Sequence, residues 1–193
     1  MQQEDAALLA LLATNLDRHF GELVLAYQQR LYAFILRQTG SVQDAEDIVQ
    51  EALMQAYFAL GRYTPQQVCS VALRPWLYKI TLNVFYSRLR KTRLRYVPLD
   101  LTDNSIHLEL EDDSTRQPET VLETRESLHE LEILLNRLPE HYRTPINLYY
   151  FEGLSYREIA HLLNISINTV KSYLHRGIGY LRKAMTTQQN GGR

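Results

Sequence analysis

The sequence predicts an all-α fold, two small helical domains joined by an acidic flexible linker. Three observations predict it. Apolar residues recur with the helical period of 3.6 through residues 22 to 37, 42 to 60, 75 to 90, 127 to 137 and 155 to 183. Sustained two-residue alternation bounded by turn dipeptides, the mark of strands, occurs nowhere. Residues 96 to 125 hold Pro98, Pro118, serines, threonines and no periodic apolar face, so they read as a tether between two helical halves.

A length of 193 residues with 45% hydrophobic content suffices for two small cores. One cysteine, Cys69, excludes a disulfide framework and a multi-cysteine zinc site, and fits a reducing compartment. The N-terminal run ALLALLAT follows Glu4 and Asp5 and is too short for a signal peptide, and no apolar run approaches the roughly 18 residues of a membrane span. A soluble, cytoplasmic protein without membrane insertion is expected. The expected division is an N-terminal helical extension over 1–19, a first domain over 20–95, the linker over 96–126, a second domain over 127–186 and a disordered tail over 187–193.

The net charge of −1 conceals segregation. The run RLRKTRLR, residues 88 to 95, is basic throughout. Residues 96 to 125 carry eight acids against Arg116 and Arg125, net −6, whereas residues 137 to 183 carry seven Lys and Arg against Glu140, Glu152 and Glu158, net +4. Local charge therefore guides function better than the total.

In the helix of residues 42 to 60, Ala45, Ile48, Val49, Ala52 and Ala56 form one stripe and Asp47, Gln50, Glu51, Met54 and Phe58 the opposite one. Acid mixed with large apolar side chains suits a protein partner with basic residues and an apolar spot. Spacing alone leaves open whether Phe58 folds back into the core. The next helix has Pro75 suited to its first turn. Between two apolar stripes it leaves a narrow strip of Lys79, Asn83, Tyr86 and Arg90, which offers a single DNA strand cations and an aromatic face. An ordinary surface strip on a core helix has the same pattern.

In the second domain, Ser155 and Glu158 form a capping box that starts a helix at Tyr156. Asn164 suits the left-handed position after Leu163, and Ser166 caps the following helix, which gives a helix-turn-helix. On the second helix Val170, Leu174, Gly177, Ile178 and Leu181 face inward, with Asn168, Lys171, Ser172 and His175 opposite, where they can reach base edges. Arg157, Arg176, Arg182 and Lys183 can neutralise phosphates. Pro145 interrupts the preceding helix, and a restart with Thr144 as cap and Pro145 in the first turn is expected.

The stretch GLSYREIAHLLNISINTVKSYLHRG closely resembles region 4, the DNA-reading helix-turn-helix of bacterial extracytoplasmic-function (ECF, group IV) RNA polymerase sigma factors. DAEDIVQEALMQAY is similar to their region 2.2, which docks on the coiled coil of the polymerase β′ subunit, and WLYKITLN resembles the start of the region 2 helix that follows the promoter-reading loop. The resemblance implies a sigma factor that binds core RNA polymerase and directs promoter-specific initiation. Its expected sites are Asp47, Gln50, Glu51, Met54 and Phe58 for core polymerase, and Trp76, Lys79, Asn83, Tyr86 and Arg90 for minus-10 DNA. For minus-35 DNA they are Asn168, Thr169, Lys171, Ser172, His175 and Arg176. The implied partners are core RNA polymerase, through the β′ coiled coil, promoter DNA and an anti-sigma factor, with no cofactor.

The loop RYTPQQVCSVALR departs from the family pattern in being longer and poorer in Gly, Ser and Asp. Response regulators end in a similar helix-turn-helix, so the alternative is a dimeric helix-turn-helix transcriptional regulator that is not a polymerase subunit. An enzyme is not expected: the six histidines are scattered without metal-type pairing, and no phosphate-binding glycine loop or nucleophile motif is present.

Overall fold

The computed structural model of the protein describes residues 2–95 and 133–190, with side chains over 4–91 and 133–185. All regular structure among these residues is helical; the expected linker, 96–126, lies outside them. Helix α1 (Gln2–Thr14) turns at Asn15 into α2 (Leu16–Thr39), which therefore crosses the expected division at residue 19. The Asn15 side chain accepts a hydrogen bond from the Arg18 backbone, and Gly40, in the left-handed region at φ 68°, ends α2 by donating to the Leu36 carbonyl. Leu9 and Leu12 of α1 enter the core, and the Tyr27 hydroxyl donates to Asp5 at 2.5 Å.

Ser41 caps α3 (Val42–Leu60), and the stripe Ala45, Ile48, Val49, Ala52 and Ala56 is buried. A short helix absent from the sequence expectations follows, α4 (Pro65–Ser70). Its capping box joins Thr64 and Gln67, with Pro65 at the first turn. Helix α5 (Leu73–Arg95) then crosses the domain, burying Leu77, Tyr78, Leu82, Val84 and Phe85 against Leu31, Phe34 and Ile48 of α2 and α3.

In the second domain residues 133–137 are helical, and α6 (Glu140–Ile146) runs into a π-helical turn, Asn147–Phe151. Helices α7 (Tyr156–Leu163) and α8 (Ile167–Asn190) follow, α8 extending beyond residue 187. The expected restart at Thr144 does not occur. Thr144 is buried inside α6, where its backbone is helical rather than in the extended conformation of a cap, and its hydroxyl donates to Gln38 Oε1 of the other domain at 3.2 Å. Proline removes one backbone donor and crowds the carbonyl four residues back. The ladder resumes beyond it with wider spacing, Glu152 N–H donating to the Asn147 carbonyl at 3.2 Å.

That spacing matters for tertiary structure. Five residues along an ordinary α-helix turn a side chain through about 140° from its starting direction. The wider i→i+5 turn instead stacks Glu152 over Asn147, and both meet Arg37 of α2. Arg37 Nε donates to Asn147 Oδ1 at 2.7 Å and Nη2 to Glu152 Oε1 at 2.6 Å. Asn147 Nδ2 donates to the Phe34 carbonyl at 3.0 Å, Arg74 to the Glu152 carbonyl at 2.7 Å, and the Tyr78 hydroxyl to Glu152 Oε2. The guanidinium of Arg37 also lies over the Phe151 ring, 4.4 Å from its centre. A buried polar cluster thus joins the two domains.

Candidate polymerase and nucleic-acid interfaces

The exposed face of α3 divides in two. Met54 and Phe58 are 54% and 59% exposed, so Phe58 does not fold into the core. With Gln50 they line a groove of roughly 620 Å3 between α3 and α2, whose other wall includes Phe20, Val24 and Tyr32. Asp47 and Glu51 occupy the opposite edge, towards α5, where Arg88 bridges them at 3.1 Å each. The five residues expected to bind polymerase therefore share one helix face but have different neighbours. An apolar side chain of a partner fits the groove, and a basic one fits the carboxylates.

The expected minus-10 residues also share one surface of α5, and that surface faces the second domain. Lys79 Nζ donates to the Leu162 carbonyl of α7 at 2.9 Å. Asn83, Tyr86 and Arg90 line a cleft with Glu140 of α6, and burial raises the Tyr86 pKa. Trp76 stands 6.3 Å from the Tyr63 ring, centre to centre. These two rings, Gln67, Ser70 and Lys79 border a second cleft of roughly 520 Å3, closed on its far side by His161 and Leu162. An aromatic pair beside amide and hydroxyl groups can stack and hydrogen-bond an unpaired base.

The sequence singled out Trp76 and Lys79 but not Tyr63, Gln67 or Ser70 individually. The missed signal was local: Thr64, Pro65 and Gln67 spell a helix start with a capping box, and the short helix they begin orders this loop. Cys69 on the same helix is exposed.

The helix-turn-helix is built as its residues require. The Ser155 hydroxyl accepts from the Glu158 backbone at 3.3 Å, and the Ser155 backbone donates to Glu158 Oε2 at 2.7 Å. Asn164 takes the left-handed conformation, φ 56°, at the end of α7. Ser166 Oγ accepts from the Thr169 backbone at 3.0 Å and bonds its hydroxyl at 2.8 Å, so Thr169 sits at the start of α8 within the cap. Asn168, Lys171, Ser172, His175 and Arg176 are exposed, while Val170, Leu174 and Leu181 are buried. Gly177 permits the crossing of α8 over α6, because a Cβ there would stand 2.4 Å from Ile146 Cδ1 and 3.2 Å from Tyr142 Cβ. The residues expected to read minus-35 DNA are thus open to solvent, whereas those expected at minus-10 DNA face protein.

Among the described residues no group of His, Cys, Asp and Glu is placed to hold a metal ion, and no helix is long and apolar enough to cross a membrane.

Family models for sigma-70 region 2 and sigma-70 region 4 match residues 23–95 and 128–181. The ECF RNA polymerase sigma factor SigW of Bacillus subtilis is 33% identical over 171 residues, covering 86% of this chain and 88% of that protein. The RNA polymerase sigma-H factor of Pseudomonas aeruginosa is 30% identical over 187 residues, covering 95% of each. Among solved structures, the sigma factor RpoE in complex with the anti-sigma factor NepR from Bartonella quintana matches with a TM-score of 0.66 and 26% identity, over 86% of this chain and 96% of that one. Two matched domains in this order, with relatives covered nearly end to end, favour a polymerase subunit over a free-standing dimeric regulator: the chain belongs to the ECF RNA polymerase sigma factors, which recognise promoters.

Proposed function

We propose that this sigma factor binds core RNA polymerase with the divided face of α3. A basic side chain of the β′ coiled coil meets Asp47 and Glu51, and an apolar one enters the groove at Gln50, Met54 and Phe58. Region 4 reads minus-35 DNA with Asn168, Lys171, Ser172 and His175, with Thr169 at the helix start and Arg176 on phosphate. The melted minus-10 strand runs along Lys79, Asn83, Tyr86 and Arg90 and delivers a base beside Trp76. The functional units are residues 20–95 and 127–186, joined by the linker 96–126, with 1–19 as an extension and 187–193 as a tail. They act in the cytoplasm, where the polymerase is.

The observation that carries this reading is the placement of an exposed acidic and apolar helix face on the same chain as a solvent-open recognition helix. The same fold supports an anti-sigma partner, since the solved relative RpoE is held by one, NepR.

Reconstitution tests the function. Purified protein added to core polymerase should initiate transcription from one promoter class. It should bind duplex DNA weakly on its own, because the minus-10 strip faces α7 until the domains part. Asp47→Arg combined with Glu51→Arg should abolish co-purification with core polymerase without unfolding the protein. Unchanged co-purification would show that the α3 face is not the contact.

A further inference from the structure

Arg88 belongs to α5 but directs its guanidinium to α3. Nε and Nη2 donate to Glu51 Oε2 at 3.2 and 3.1 Å, Nη1 donates to Asp47 Oδ2 at 3.1 Å, and Nη2 reaches the Asp47 carbonyl at 3.4 Å. In the sequence it opens the basic run RLRKTRLR. Two positions from Arg90, it is turned by about 200° from the minus-10 strip.

Asp47 and Glu51 stand one helical turn apart, and like charges at that spacing repel. A planar fork between them cancels one of the two charges and fixes both carboxylates at once. Burial works against the Arg88 charge, but its hydrogen bonds to Asp47 and Glu51 and their charges outweigh that and hold its pKa above the ordinary value. The two acids nonetheless remain partly open, with side chains 53% and 42% exposed: Arg88 engages a single oxygen of each carboxylate, and the second oxygen of Glu51 accepts only a long hydrogen bond from Gln55 Nε2, at 3.3 Å, on the same helix. It orders the carboxylates without covering them.

We infer that Arg88 is a positioning residue for polymerase binding: it holds Asp47 and Glu51 in one geometry so that their outward oxygens receive a basic side chain of the core enzyme already ordered. The inference rests on the assignment of these two acids to the polymerase contact. A plain counter-charge would act with the opposite sign, since removing it leaves a more acidic face and tighter binding to a cation. Pre-organisation predicts weaker binding despite the added negative charge, because two carboxylates must then be ordered during association. Lysine, a compact point charge without the fork, restores only part of the effect.

The test is a titration of labelled full-length protein with core RNA polymerase, for wild type, Arg88→Gln and Arg88→Lys. Arg88→Gln is repeated in an Asp47→Asn/Glu51→Gln background. Arg88→Gln is expected to bind about five- to tenfold more weakly, Arg88→Lys between it and wild type, and the loss to vanish in the neutralised background. Equal or tighter binding by Arg88→Gln overturns the inference. An equal loss in both backgrounds also overturns it, since Arg88 would then act through α5 packing. If the Asp47→Asn/Glu51→Gln protein itself binds as wild type does, the interface assignment falls, and the inference with it.

Discussion

Arg37 and Glu152 form an ion pair across the two domains at 2.6 Å, with side chains only 10% and 6% exposed. The pair lies among Asn147, Tyr78 and Arg74, so the carboxylate meets partners from both α2 and α5. Removing one member of such a pair strands the other charge away from water. Arg37→Ala should weaken the domain contact by on the order of 3 kcal/mol. Energy transfer between dyes placed on α3 and α8 should report a larger mean separation, while each domain keeps its helical content. An unchanged separation would mean that apolar packing alone holds the domains together.

The same carboxylate gives the contact a pH dependence. Burial raises the Glu152 pKa above its ordinary 4.5; the Tyr78 hydroxyl and the Arg37 charge oppose this but do not reverse it. A proton is thus held more tightly when the domains are closed than when Glu152 meets water. The resulting stabilisation of the closed form is fully present below pH 4.5 and is lost as pH rises through the raised value. The closed fraction should fall across that window in the wild type, and Glu152→Gln should remove this step from the profile.

Pro145→Ala restores the missing donor and lets α6 continue as an ordinary helix. Asn147 and Glu152 would then diverge by about 140° and could not both meet Arg37. The expected result is an opened domain contact with region 4 still folded, read as faster proteolysis at the domain boundary and an unchanged affinity of region 4 for minus-35 DNA. A variant as closed as wild type would show that the π-helical turn does not depend on proline.

Gly177→Ala places a methyl group 2.4 Å from Ile146 Cδ1. Overpacking at a helix crossing should cost region 4 about 1–3 kcal/mol. Trimming the neighbour by Ile146→Val should recover part of the lost thermal midpoint. Independent, additive losses in the double variant would place the clash elsewhere.

Lys171 is exposed on the outer face of α8. Lys171→Ala should cost about 1–3 kcal/mol of minus-35 binding and relax selectivity at one base position. Equal weakening on every sequence, with a shallower salt dependence, would make it a phosphate contact instead. Binding by the complex with core polymerase to promoter variants at several salt concentrations separates the two outcomes.

The sequence by itself determined the helices and most of their ends. Ser155, Asn164 and Ser166 act on backbone groups a few residues away, so their effects can be read locally; Ser41 and Gly40 act in the same way but were not singled out. It also determined the buried stripes of α3 and α8, which helical periodicity sets, but not the exposure of Phe58, which spacing left open and the packing of α2 on α3 decided. The capping box of α4 was equally local and was passed over inside a stretch taken as loop.

Only the tertiary structure decided which charges neutralise one another. In the sequence Arg88 was one cation of a basic run and Glu152 one of three acids in a basic domain. Arg88 lies 41 positions from Asp47, and Arg37 lies 115 from Glu152. No local rule pairs side chains so far apart; the packing of α5 on α3, and of the π-helical turn on α2, brings them together. Pro145 shows how the two levels meet. Its missing donor was visible in the sequence, but whether the chain restarted or widened depended on Thr144 and Asn147 finding partners in the other domain.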